Sequence, residues 1–137
     1  MKRVGFLGDV NPDLVLGGLS TMPIVDREIR CGSLELTIGS TAAIAACAYA
    51  SLGGSALFCG LAGNDFFGDY MIKGLNRFGV DSSFITVDPA VATGLTVNLV
   101  RGDTRSQVTY PGSIAAFGPA HIPSAFLGSL EHLHVAG

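Results

Sequence analysis

No charged residue occurs between Leu36 and Asn64, a run that reads LTIGSTAAIAACAYASLGGSALFCGLAGN. Its texture predicts a strand tail ending near Ile38, a turn at Gly39-Ser40-Thr41, a helix to Leu52, a stop at Gly53-Gly54 and a second strand through Ala56-Leu57-Phe58-Cys59. A helix without charge on any face is expected to be buried on more than one side. Its alanines, from Ala42 to Ala50, let the backbone lie close against a sheet. A turn of small residues also leaves the first N–H groups of that helix free, and these favour a polar or anionic ligand. Function is therefore expected at this turn.

The 137 residues suffice for one domain with a real core. Only 14% of them are charged and 48% are apolar, which suits a sheet covered on both faces. A net charge of -3, with scattered Lys and Arg, argues against nucleic acid as a partner. Cys31, Cys47 and Cys59 have no CxxC spacing and read as reduced, structural thiols of a cytoplasmic protein. A spanning helix is not expected, since the continuous apolar helix is about half the length a bilayer needs. Met1-Lys2-Arg3 imitates the start of a signal peptide, but Asp9, Asn11 and Asp13 interrupt the apolar core too early.

In chain order, Val4 to Leu7 reads as a buried strand of a parallel sheet. Asp13 follows just past its carboxyl end, where open α/β sheets bind ligands. A turn carboxylate capping local N–H groups is the simpler alternative. Leu34, Leu36 and Ile38 alternate with Ser33, Glu35 and Thr37, and Leu95, Val97 and Leu99 repeat the texture before a polar turn and Gln107 to Tyr110. This predicts a second sheet, antiparallel and wet on one side, that covers the ligand site as a lid. Between the two lie an amphipathic helix with Met71, Ile72, Leu75 and Phe78, capped by Asn64 or Asp65 and ended by Gly79, and a strand from Val80 to Val87. Pro119 to Leu127 predicts a short helix and Leu133 to Gly137 a buried strand.

Generic motifs do not account for the chain. Gly5 and Gly8 lack the G-x-G-x-x-G spacing, no G-K-[ST] occurs, and Ser113 lacks a nucleophile elbow. His132 and His134 share a strand face without a third ligand, so no metal site is expected.

Taken in order and spacing, several landmarks resemble the amino-terminal half of the PfkB or ribokinase-like carbohydrate kinases. They are Gly8-Asp9-Val10-Asn11-Pro12-Asp13, Gly39-Ser40-Thr41-Ala42-Ala43-Ile44 followed by Gly53, Gly63-Asn64-Asp65-Phe66-Phe67-Gly68, Gly79-Val80-Asp81, Thr93-Gly94 and Tyr110-Pro111-Gly112-Ser113. The resemblance covers nearly the whole chain and implies a ribokinase-like α/β fold, with residues 1–137 as the N-terminal part of one domain and lid segments near 14–38 and 94–112. It implies a substrate site at Asp13, Asn11, Gly39, Ser40 and Ile44, with the residue matching Asp13 holding sugar hydroxyls. ATP and Mg2+ are implied as cofactors. The family's Gly-Ala-Gly-Asp type motif, with its general base and nucleotide pocket, has no counterpart in these residues, so no catalytic residue is expected here.

Two departures stand out. Ser40 replaces the second of a usual glycine pair, and Ile44 replaces a usual asparagine, exchanging a hydrogen bond to substrate for apolar contact. The expected role is the substrate-binding half and lid of an ATP-dependent sugar or nucleoside kinase. The alternatives are a non-catalytic sugar- or nucleoside-binding module or subunit, and a purely structural α/β domain. Low charge and an open strand edge near Leu133 to Val135 predict self-association, and the lid offers a second surface for a homodimer.

Overall fold

Alternation along the first apolar strand sets the layering. The computed structural model describes residues 2–137. Strand β1, Arg3–Gly8, sends Val4 and Phe6 to one side of its sheet and Leu7 to the other. It lies between β4, Ser55–Gly63, and β8, His132–Ala136, and β5, Asp81–Asp88, completes a four-stranded parallel sheet in the order β5-β4-β1-β8. One face carries the larger core: Phe6, Val10 and Phe58 lie beneath α1, Thr41–Ser51, and α2, Phe66–Arg77, which contributes Met71 and Leu75. The other face is covered by Phe126 of α4, Ser124–Gly128, with Phe117 and Ile122 beside it. A sheet buried on both faces needs continuous apolar strands, and all but the first residue of β4 are buried.

The second sheet is mixed. Its order is β3-β2-β6-β7, formed by Ser33–Ile38, Pro12–Gly17, Leu95–Arg101 and Thr104–Tyr110. The outer pairs are antiparallel, but β2 and β6 run parallel, which corrects the expectation of an antiparallel lid. The reason is the connection: β4 and β5 of the first sheet and two helices intervene between β2 and β6, so no hairpin joins them. Asp13 is likewise on a strand and not in a loop, with Pro12 as the first residue of that strand, where a missing N–H is tolerated.

Three further expectations are corrected. Helix α1 buries one face only: Ala42, Ala43, Ala46 and Cys47 are buried, while Ile44 is 53% exposed and Thr41, Ala48 and Ser51 lie outward. Small and hydroxyl residues tolerate solvent, so absence of charge did not require burial. The segment from Pro119 is a 3-10 turn, Pro119–His121, followed by α4, and a short helix α3, Ser113–Ala116, precedes both. Strand β8 is an edge with Val135 65% exposed, not a buried strand.

The landmark glycines and polar residues tie the second sheet to the first. Asp65 caps α2, accepting hydrogen bonds from Gly68 N at 2.9 Å and from Thr93 N at 2.8 Å, while Thr93 Oγ1 accepts from Gly63 N at 2.8 Å. Ser113, 1% exposed, accepts from Gly94 N at 3.1 Å and donates to Val10 O at 3.5 Å. The start of β6 is thereby fastened to the end of β4 and to the β1–β2 junction.

Candidate functional site

The turn into α1 is strained. Ser40 adopts φ 70 and ψ 126, outside the usual helical and extended regions, while its Oγ accepts from Ala43 N at 3.3 Å as the N-cap. A residue with a Cβ costs about 1–3 kcal/mol in such a conformation. Glycine there loses only a few tenths of the capping energy. We therefore expect Ser40→Gly to raise stability by about 1 kcal/mol, and Ser40→Ala, which keeps the strain and loses the cap, to lower it by about 1 kcal/mol. Urea unfolding midpoints check both, and a loss of stability in Ser40→Gly would contradict the assignment of strain.

Gly39 brings that turn against Asp13. A Cβ at Gly39 would stand 2.5 Å from Asp13 Oδ1 and 2.7 Å from Asn11 O, so only glycine allows this approach. Asp13 and the helix start meet at one rim of the first sheet. They border a cleft of about 580 Å³ shared with Asp9, Asn11, Ser40, Thr41 and Ile44. The other wall is the polar face of the second sheet, from Thr96, Arg105, Gln107 and Thr109.

Register explains why those residues share a face. Asp13 lies opposite Thr96, and Thr96 opposite Thr109, whose hydroxyls are 3.0 Å apart. One row along on the same face, Gln107 Nε2 donates to Asn98 Oδ1 at 2.7 Å. Asn98 is 4% exposed, so this bond between β6 and β7 is made out of reach of water behind the cleft. Burial pushes the Asp13 carboxyl above the ordinary aspartate range, opposed by the charge of Arg105 and by the polar Asn98 side chain. Burial alone raises Asp9.

All five residues expected at the site meet here: Asn11, Asp13, Ser40 and Ile44 line the cleft and Gly39 backs Asp13. Asp9, Thr96, Asn98, Arg105, Gln107 and Thr109 were missed. The signal was the polar partner of a noted pattern: Leu95, Val97 and Leu99 marked the apolar face, and Thr96 and Asn98 are the residues between them. A second groove, of about 390 Å³, lies behind Ile44 among Ile38, Cys47, Tyr70 and Phe78.

The described residues gather no cluster of three His, Cys, Asp or Glu that would hold an ion, and Arg105 is the one cation among them bordering the cleft. The three cysteines are free thiols, and burial pushes Cys59 up to about 11. Among the described residues no helix is long and apolar enough to cross a membrane.

A parallel sheet flanked by helices, with a second sheet fastened beside its strand ends and a carboxylate at the junction, defines the ribokinase-like α/β class. Over residues 1–137 the chain matches the pfkB family carbohydrate kinase, and it belongs to that family. Among solved structures it is similar to a PfkB protein from Polaromonas sp. JS666, at 22% identity and TM-score 0.82, covering 98% of this chain and 44% of that one. It is similar to a fructokinase from Xylella fastidiosa with bound ATP, at 23% identity and TM-score 0.79, covering 98% and 42%. A ribokinase from Cryptococcus neoformans var. grubii serotype A in complex with ADP gives 25% identity and TM-score 0.77, covering 98% and 40%. The chain spans less than half the length of these structures. No curated protein matches it.

Proposed function

We propose that this chain is the substrate-binding half and lid of an ATP-dependent kinase that phosphorylates a hydroxyl of a sugar or nucleoside. The observation that carries the reading is the contact between Asp13 and Gly39, which puts a carboxylate acceptor beside the first N–H groups of α1. A carboxylate accepts two hydroxyl donors, and free N–H groups bind hydroxyl oxygens, so together they match a polyol. Asp13 and Asn11 bind hydroxyls, Gly39 and Ser40 form the helix start, and Ile44 gives apolar contact. Residues 14–38 and 94–112 act as the lid. ATP, with Mg2+, would supply the phosphoryl group, held by residues outside this chain. A cytoplasmic location fits this reading.

The test uses the protein from the longest reading frame that encodes this chain, assayed for ATP consumption with a panel of sugars and nucleosides. Turnover with one of them, lost in Asp13→Ala, supports the reading. Polyol binding without turnover supports a non-catalytic binding module instead.

The lid face turned away from the cleft is apolar. Leu14, Leu16, Leu36, Val97 and Leu99 form it, with Leu34 68% and Val108 62% exposed. Such a face favours a second copy of the chain, and the edge of β8 offers another route to self-association. We expect the protein to sediment as a dimer and the Leu34→Lys, Val108→Lys double variant to sediment as a monomer. A wild-type monomer at high concentration contradicts this assembly.

A further inference from the structure

We propose that the cleft selects a polyol lacking a hydroxyl on one edge, a deoxy sugar or deoxynucleoside, which lays that edge against Ile44 and Ile114; this rests on the reading of the cleft as a polyol site. The groups able to take up hydroxyls lie together. Asp9, Asn11 and Asp13 come from the β1–β2 junction and the start of β2, and the turn into α1 meets them at Gly39. On the lid wall the polar side chains are partly engaged already: Gln107 donates to Asn98, the hydroxyls of Thr96 and Thr109 are 3.0 Å apart, and the charge of Arg105 acts on Asp13.

Two isoleucines from different elements complete the lining. Ile44 closes the first turn of α1, is 53% exposed, and also borders the second groove with Thr37, the β3 partner of Asp13. Ile114 belongs to α3, and a Cβ at Gly94 would stand 2.8 Å from its Cδ1, which places that side chain at the start of β6. Register runs Thr37, Asp13, Thr96, Thr109 across the second sheet, so Ile44 stands toward the β3 end of the polar row and Ile114 toward the β6–β7 end. Neither side chain donates or accepts a hydrogen bond. A ligand hydroxyl turned against one of them loses its water and gains no partner, which weakens binding roughly 10-fold, whereas a hydrogen or methyl there makes apolar contact.

Calorimetric titration of the protein from the longest reading frame tests this with D-galactose against D-fucose, D-ribose against deoxyribose, and adenosine against deoxyadenosine, each second member lacking one hydroxyl. At least one deoxy member is expected to bind roughly 10-fold tighter than its parent. Because Ile44 is half exposed, its replacement leaves the core intact. Ile44→Asn, which supplies a donor and an acceptor, should bring that ratio to one or below, and Ile44→Val should keep it. Parents that bind as tightly as their deoxy partners in all three pairs, or a ratio unchanged by Ile44→Asn, overturn the inference. If binding in that case is still lost in Asp13→Ala, the polyol reading stands without it. If none of the six compounds binds, both fall.

Discussion

Asp13→Ala is expected to lower the affinity for any polyol this protein binds by about 100-fold or more, because a charged acceptor for two hydroxyls is removed from a partly buried site. Calorimetry on the wild type and the variant reads the effect directly, and an affinity within a few-fold of wild type would show that the ligand lies elsewhere. The stability of the two proteins should move the other way. Burial raises the Asp13 carboxyl above its unfolded value, so the ionised form is disfavoured in the folded state. A raised carboxylate favours folding below the unfolded pKa and loses that contribution as pH rises through the folded value. Asp13→Asn is therefore expected to be more stable than wild type at neutral pH, with the advantage shrinking as pH falls through the raised folded value and gone below the unfolded one, at about pH 4. Urea midpoints at pH 7 and pH 3.5 separate this from a structural aspartate, whose replacement would destabilise at pH 7.

Asp65→Ala is expected to cost about 3 kcal/mol, the sum of a lost N-cap of about 1 kcal/mol and a lost charge-assisted bond to Thr93 N of about 2 kcal/mol. Burial acts to raise this carboxyl, but hydrogen bonds from Thr93, Gly68 and Phe67 outweigh it and hold the carboxyl below the ordinary range. For a depressed carboxylate the stabilisation is present above the unfolded pKa and is lost as pH falls through the folded value. The gap between wild type and Asp65→Ala should therefore be full at pH 7 and shrink in strong acid. A gap independent of pH would mean that the carboxylate charge contributes nothing. The lid is the region this variant should loosen, since Thr93 begins the segment that leads into β6. Faster amide exchange in Leu95–Arg101 than in β1 would register that loosening.

Much of this architecture was legible because period and punctuation agree. The run from Leu36 to Asn64 resolves into β3, α1 and β4 in the expected order, and Asp65 and Gly79 bound α2 as capping chemistry requires. What was not legible is pairing between distant strands. Nothing local in Pro12–Gly17 says that it joins Leu95–Arg101 in parallel, because that choice belongs to the path of the intervening chain. The site was read in halves for the same reason. Gly39 and Ser40 form a recognisable turn and cap, and Asp13 follows soon after a recognisable buried strand, whereas Asn98, Gln107 and Arg105 gain their positions only from register. The second face of α1 failed for another reason: hydropathy cannot distinguish a buried alanine from one left at the surface.

The central claim is that a polyol sits between the Asp13 carboxylate and the start of α1. A crystal structure of the protein with its best-binding sugar or nucleoside tests it most directly. The account predicts ligand hydroxyls within about 2.6–3.0 Å of the Asp13 carboxylate, with the ring against Ile44. A ligand lodged in the groove between Ile38 and Phe78, with Asp13 untouched, would contradict it.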